Sequence, residues 1–130
     1  MRFPTILLWI NAALFLVFGA GFIVAPGFLA QLITGATPST TSALIDLRAT
    51  YGGMALGLGL FWGFCARRQR TVRIGLMASL LVLLGIALGR LIGMVVDGSP
   101  NTFMFALLAA ELLFIGLIAV ALRRTSETTE

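Results

Sequence analysis

The chain has 130 residues, 59% hydrophobic and 11% charged, with a net charge of +4 from nine arginines and no lysine, and a mean hydropathy of +1.05. A soluble domain carries roughly a quarter charged residues, so this composition excludes a water-soluble globule, and four apolar stretches of about 20 residues each leave no length for a second domain. Histidine is absent and Cys65 is the only cysteine, which removes the usual metal and haem ligand, the usual general base, any internal disulfide and any CxxC pair; no cofactor and no metal site is expected.

The first apolar run covers residues 3–24. Arg2 before it and Gly19, Ala20 and Gly21 within it imitate a secretory signal, but the run is too long for one and stays hydrophobic past the small residues. It is expected to be a retained first span. Pro26-Gly27 ends it, because proline lacks the N–H a helix needs. Phe28 to Ile33 is short and apolar and is expected to lie along the interface. Residues 35–42 are loop chemistry, with Ser42 the expected N-cap of the next helix.

The second span is expected at 43–66, closed by a basic loop over 67–73. The third is expected at 74–96 and ends at the turn signal Asp97-Gly98-Ser99-Pro100-Asn101. The fourth covers 102–122, so residues 1–124 form one four-span domain and 125–130 a polar cytoplasmic tail. The fold class is all-α, an integral membrane four-helix bundle.

Orientation follows from the arginines. Arg2, the four of the central loop, Arg123 and Arg124 share one side, and the opposite connections (26–42 and 97–101) hold no Lys or Arg. The positive-inside rule places both termini in the cytoplasm. A pI near 11.1 raises nucleic acid as a partner, but arginines clustered at helix ends, without an aromatic-rich surface, suit anionic lipid headgroups instead.

Helices in lipid associate through close backbone approach and buried polar bonds. Gly85, Gly89 and Gly93 recur every fourth residue on the third span, and Gly53 and Gly57, with Gly59 and Gly63 one face round, offer a match on the second. Spans two and three are expected to be the tightest pair.

Five ionisable residues lie within or at the edges of the spans: Asp46, Arg48, Arg90, Asp97 and Glu111. A charge at mid-membrane costs about 2.5–3.5 kcal/mol on insertion scales. Asp46 and Asp97 are near enough to the outer surface to be hydrated or to cap helices. Arg48 is ~7–8 Å into its span at 1.5 Å per residue and can snorkel outward. Arg90 is ~9 Å below the outer end of its span, and its Cβ tilts inward, toward the helix N-terminus. Glu111, on a span entering from outside, tilts outward to meet it. An Arg90–Glu111 ion pair is therefore expected, with Asn11 and Tyr51 as candidate hydrogen-bond partners for the carboxylate; the alternatives are a purely structural lock and an unpaired, neutral Glu111. Cys65, at the C-terminal end of a helix, is poor ground for a reactive thiol.

Asp46-Leu47-Arg48-Ala49-Thr50-Tyr51-Gly52-Gly53, followed by Gly89-Arg90 and Glu111, resembles an uncharacterised family of small bacterial four-span membrane proteins with an Asp-x-Arg-x-x-Tyr-Gly-Gly signature. The resemblance implies a recurring polar constellation of Asp46, Arg48, Tyr51, Arg90 and Glu111, and a multi-pass protein of the bacterial inner membrane; it lends no activity. Three readings follow. The first is a non-catalytic accessory or assembly protein, packed against lipids and against other membrane subunits or copies of itself. The second is a carrier or channel for a small solute or proton using Arg90 and Glu111, which needs a water-accessible cavity near Arg48, Tyr51 and Arg90. The third, ranked last for want of catalytic groups, is a protein binding or modifying a lipid, quinone or sterol-like molecule. An enzyme is disfavoured without being excluded.

Overall fold

The computed structural model describes residues 2–126. Helix α1 (Phe3–Val24) begins with Pro4 in its first turn, where proline's fixed φ suits a helix start. It ends at Ala25, whose φ of −133° is not helical, because Pro26 has no N–H to continue the ladder. Pro26 instead opens α2 (Pro26–Thr34), which stops at Gly35 in the left-handed region, φ +81°, a conformation glycine adopts without a Cβ penalty.

Helix α3 (Thr41–Leu47) is capped by Thr40, whose Oγ accepts from the Ala43 N–H at 3.1 Å. Ser42, the expected cap, is already inside the first turn. The chain then runs without a break through a π-helical segment, Arg48–Met54, into α4 (Ala55–Ala66). Only Arg67 and Arg68 separate α4 from α5 (Gln69–Val96), so the expected basic loop is mostly helix and Arg70 and Arg73 stand on the first turns of α5. The Thr71 hydroxyl ties this corner to the carbonyls of Cys65 and Arg68 at 2.8 and 2.9 Å. Gly98 and Ser99, with φ of 66° and 45°, turn the chain into α6 (Thr102–Ser126). Of the expected polar tail, Thr125 and Ser126 continue α6, and residues 127–130 lie outside the described residues.

Among the described residues four helices are long and apolar enough to cross a membrane: Phe3–Val24, Thr41–Ala66, Gln69–Val96 and Thr102–Thr125. Short connections make successive ones antiparallel. The best-buried side chains, Leu8, Trp62, Leu76 and Ile118, come from all four and lie together at the end carrying the arginines. There Phe15 meets Trp62 edge-on, with ring centroids 4.6 Å apart, a geometry that favours the ring quadrupoles. Toward the other end α1 keeps company with the second span and α5 with α6, and α2 links the two pairs by packing on α6, with Asn101 Nδ2 donating to the Ile33 carbonyl at 2.9 Å.

The tight contact is α1 against the second span, not span two against span three. A Cβ on Gly19 would stand 2.8 Å from the Gly52 carbonyl oxygen and the Leu56 nitrogen, and one on Gly59 would stand 3.0 Å from the Ala12 oxygen. These backbones touch because no side chain separates them. The expected stripe does not do this. Gly57, Gly85 and Gly89 have open space where a Cβ would be; Gly53 and Gly93 meet only atoms of their own surroundings, the Arg48 oxygen and an Asp97 carboxylate oxygen. The reason is rotation. On α5 the buried positions Val72, Leu76, Ser79, Leu83 and Ala87 form one face, and at 100° per residue Gly85 and Gly89 point away from it.

Candidate functional site

Among the described residues, Asn11, Arg48, Arg90 and Glu111 fall in three separate centres, and a further bond, from Gln69 Nε2 to the Thr5 hydroxyl at 3.1 Å, joins α5 to α1 at the arginine end. The first joins α5 to α6. The short turn at residues 97–101 makes these helices antiparallel neighbours, so residues at comparable distances from the turn face each other. Arg90 Nη2 donates to Glu111 Oε1 at 2.7 Å, and Arg90 Nε donates to Oε1 and Oε2 at 3.2 and 3.1 Å. Arg90 Nη1 reaches the Met104 sulfur at 3.2 Å. The side chains are 18% and 11% exposed, so the pair is shielded but not sealed. A two-nitrogen grip of this kind is the strongest arrangement a guanidinium and a carboxylate make, and it leaves both charges neutralised within the hairpin.

The second centre is deep in the core. Asn11 of α1, 2% exposed, donates from Nδ2 to the hydroxyl of Ser79 of α5, 0% exposed, at 2.7 Å. Asn11 was expected near Glu111; it binds Ser79 instead because it lies at another level. Ser79 and Arg90 are 11 residues apart on one helix, about 16 Å of rise.

The third centre is on the π-helical segment. The Arg48 guanidinium donates from Nη1 to the Ile23 carbonyl. With α1 broken at Ala25 and Pro26 lacking an N–H, the last carbonyls of α1 lose their helical partners; a cation there also favours the negative end of the helix dipole. Arg48 is therefore the C-terminal cap of α1, supplied by another helix. Asp46 does not pair with it, since residues two apart on a helix do not face each other; its carboxylate accepts from the Thr50 hydroxyl at 3.5 Å. Tyr51 does not reach Glu111. Its ring stacks on Phe22 of α1, centroids 5.2 Å apart, because the π-helical segment packs on α1 rather than on α5 or α6. Asp97 is the C-cap of α5, its N–H donating to the Gly93 carbonyl at 2.8 Å.

The expected single constellation is thus divided. Arg90 and Glu111 belong to the α5–α6 pair, whereas Asp46, Arg48 and Tyr51 belong to the second span packed on α1. Partners missed in the sequence are Ser79, Met104 and the Ile23 carbonyl. The free carbonyl was implied by Pro26; nothing in the sequence marks Met104 or singles out Ser79. Among the described residues no group of three His, Cys, Asp or Glu is placed to hold a metal ion.

Among the described residues the chain is all-helical, with four helices of the length and apolarity that define the class of multi-pass membrane proteins; its one buried polar side-chain atom without a hydrogen-bond partner among those residues is Trp62 Nε1. The chain belongs to the DUF4345 family, a domain of unknown function whose family model matches residues 3–122. No curated protein and no solved structure matches it.

Proposed function

We propose that this protein is a non-catalytic accessory or assembly subunit of the bacterial inner membrane, working as part of a larger membrane complex or as a homo-oligomer, with both termini and the Arg67–Arg68 corner in the cytoplasm. The orientation rests on seven of nine arginines lying at one end of the bundle and on the positive-inside rule.

The observation that carries the assembly reading is the state of the α5–α6 hairpin. It is held shut by the Arg90–Glu111 grip, and away from the arginine end, where α2 reaches the hairpin through the Ile33 carbonyl bonded to the Asn101 amide, the outward face of α5 is apolar and exposed. Leu84, Leu88, Ile92, Val95 and Val96 of α5 are exposed, and Gly85 and Gly89 beside them have room for a side chain. Small and apolar residues on an outward helix face are what a neighbouring membrane helix packs against.

The carrier reading draws less support. It needs Arg48, Tyr51 and Arg90 around one water-filled route, and these residues belong to different helix pairs. Arg90 and Glu111 are also spent on each other. The test is native mass spectrometry of the full chain released from lipid nanodiscs. A subunit assembly gives masses at multiples of 13.8 kDa or a defined heteromeric complex; a lone 13.8 kDa chain at every protein-to-lipid ratio overturns the reading.

A further inference from the structure

The arginine end carries a feature that the assembly reading does not use. Between the start of α5 and the end of α6 lies a groove of about 330 Å³, lined by Arg73, Met77, Leu80, Leu81, Leu122 and Arg123. We propose that this groove is a binding site for an anionic phospholipid, with Arg73 and Arg123 holding the phosphate and the apolar walls holding an acyl chain.

The antiparallel run of α5 and α6 creates the site. It sets the first turns of one helix beside the last turns of the other, so two arginines 50 residues apart in the chain line the same groove. From Arg73, the residues Met77, Leu80 and Leu81 follow at helical spacing along one face, leading about 12 Å of rise away from the charges. A cationic mouth on an apolar trough matches a molecule with an anionic head and a hydrocarbon tail. A guanidinium suits a phosphate better than a point charge does, because its planar fork donates two parallel hydrogen bonds.

Other arginines at this end have different surroundings. The Arg67 guanidinium lies 5.8 Å from the centroid of the Phe64 ring and that of Arg124 lies 5.4 Å from Phe3 on α1. Arg123 and Arg124, adjacent in sequence and about 100° apart around the helix, thus serve different sides of α6. Among the described residues neither Arg73 nor Arg123 forms an ion pair; Glu111 is held by Arg90, and Asp46 and Asp97 are at the far end. Among the described residues the groove therefore presents two positive charges and no carboxylate.

The inference is independent of the assembly reading, since the groove belongs to one chain. It is tested by native mass spectrometry of the full chain with phosphatidylglycerol, phosphatidylcholine or inorganic phosphate added. Wild type is expected to retain phosphatidylglycerol in preference to phosphatidylcholine and to retain no free phosphate. The double variant Arg73→Gln/Arg123→Gln is expected to lose phosphatidylglycerol retention roughly ten- to thirty-fold. Arg67→Gln/Arg70→Gln, which removes the same charge outside the groove, is expected to stay within about two-fold of wild type. Met77→Trp fills the groove with every charge in place and is expected to reduce retention as well, which keeps the test decisive if the double glutamine variant does not fold. Equal loss in the two double variants reduces the site to diffuse attraction and overturns the proposal, as does phosphatidylcholine bound as well as phosphatidylglycerol, retention of free phosphate, or undiminished binding by Met77→Trp.

Discussion

Arg90 and Glu111 meet across the α5–α6 interface with the guanidinium Nη2 2.7 Å from one carboxylate oxygen and Nε within 3.2 Å of both. A pair of this kind gains little net stability over well-packed apolar residues, because each charge has given up its hydration, but removing one partner strands the other. Glu111→Gln, and separately Arg90→Met, are expected to destabilise the protein by about 3–5 kcal/mol, read as a lower midpoint in detergent unfolding. The double variant Arg90→Met/Glu111→Leu is expected to recover most of that loss. Additive losses in the double variant would mean that the two side chains act separately.

Close approach of α1 to the second span makes a different kind of demand. At Gly19 an added methyl group meets backbone atoms of Gly52 and Leu56 at 2.8 Å, and backbone cannot rotate away. Gly19→Ala is expected to cost about 1–3 kcal/mol through forced separation of the helices. Gly85→Ala meets nothing within 4 Å and is expected to stay within about 0.5 kcal/mol of wild type. Comparing the two unfolding midpoints checks the assignment of packing glycines. Should Gly85→Leu also shift the mass distribution from oligomer to single chain, the outward face of α5 is the assembly surface.

The contrast between these two sites explains what the sequence could and could not disclose. Levels along the bundle axis were readable: Pro26 and the cluster at 97–101 mark where helices end, and the rise per residue then gives the depth of Arg90 and Glu111. Rotation about each helix axis was not. These helices are apolar on nearly every side, so no polar stripe marks the outward face, and the glycines at 85, 89 and 93 gave no sign that they point away from the bundle. The π-helical segment adds to this, because its wider turns shift the faces of everything that follows; Gly52 is buried against Ile23 while its neighbour Gly53 is exposed. Asn11 was misplaced for another reason, an error of level: its partner is Ser79, a residue too common in helices to be singled out.

Arg48 caps a helix to which it does not belong. If its bond to the Ile23 carbonyl secures the junction between α1 and α2, Arg48→Met should loosen that junction without disturbing the α5–α6 hairpin. The expected cost is about 1–2 kcal/mol, within the range for a cation at a helix C-terminus. Hydrogen exchange followed by mass spectrometry is expected to show faster exchange over residues 22–29 and unchanged exchange over 86–115. Uniform acceleration across both regions would assign Arg48 a global role instead.

Asn11 and Ser79 offer the cleanest separation of specificity from stability. Both are almost wholly buried, and the bond between them ties α1 to α5 at one register. Ser79→Ala removes the acceptor and leaves the Asn11 amide in an apolar core, which is expected to cost about 1–3 kcal/mol. Asn11→Leu/Ser79→Ala removes both polar groups, so no orphan remains, and unfolding stability is expected to return most of the way to wild type. What the double variant should not restore is the unique alignment of α1 on α5, since a sliding apolar contact has no preferred level. A cysteine pair engineered at Leu8 and Leu76, both fully buried in the same core, would report this through its crosslinking yield against neighbouring register pairs. Wild-type selectivity retained in the double variant would show that the glycine contacts of α1 with the second span set the register unaided.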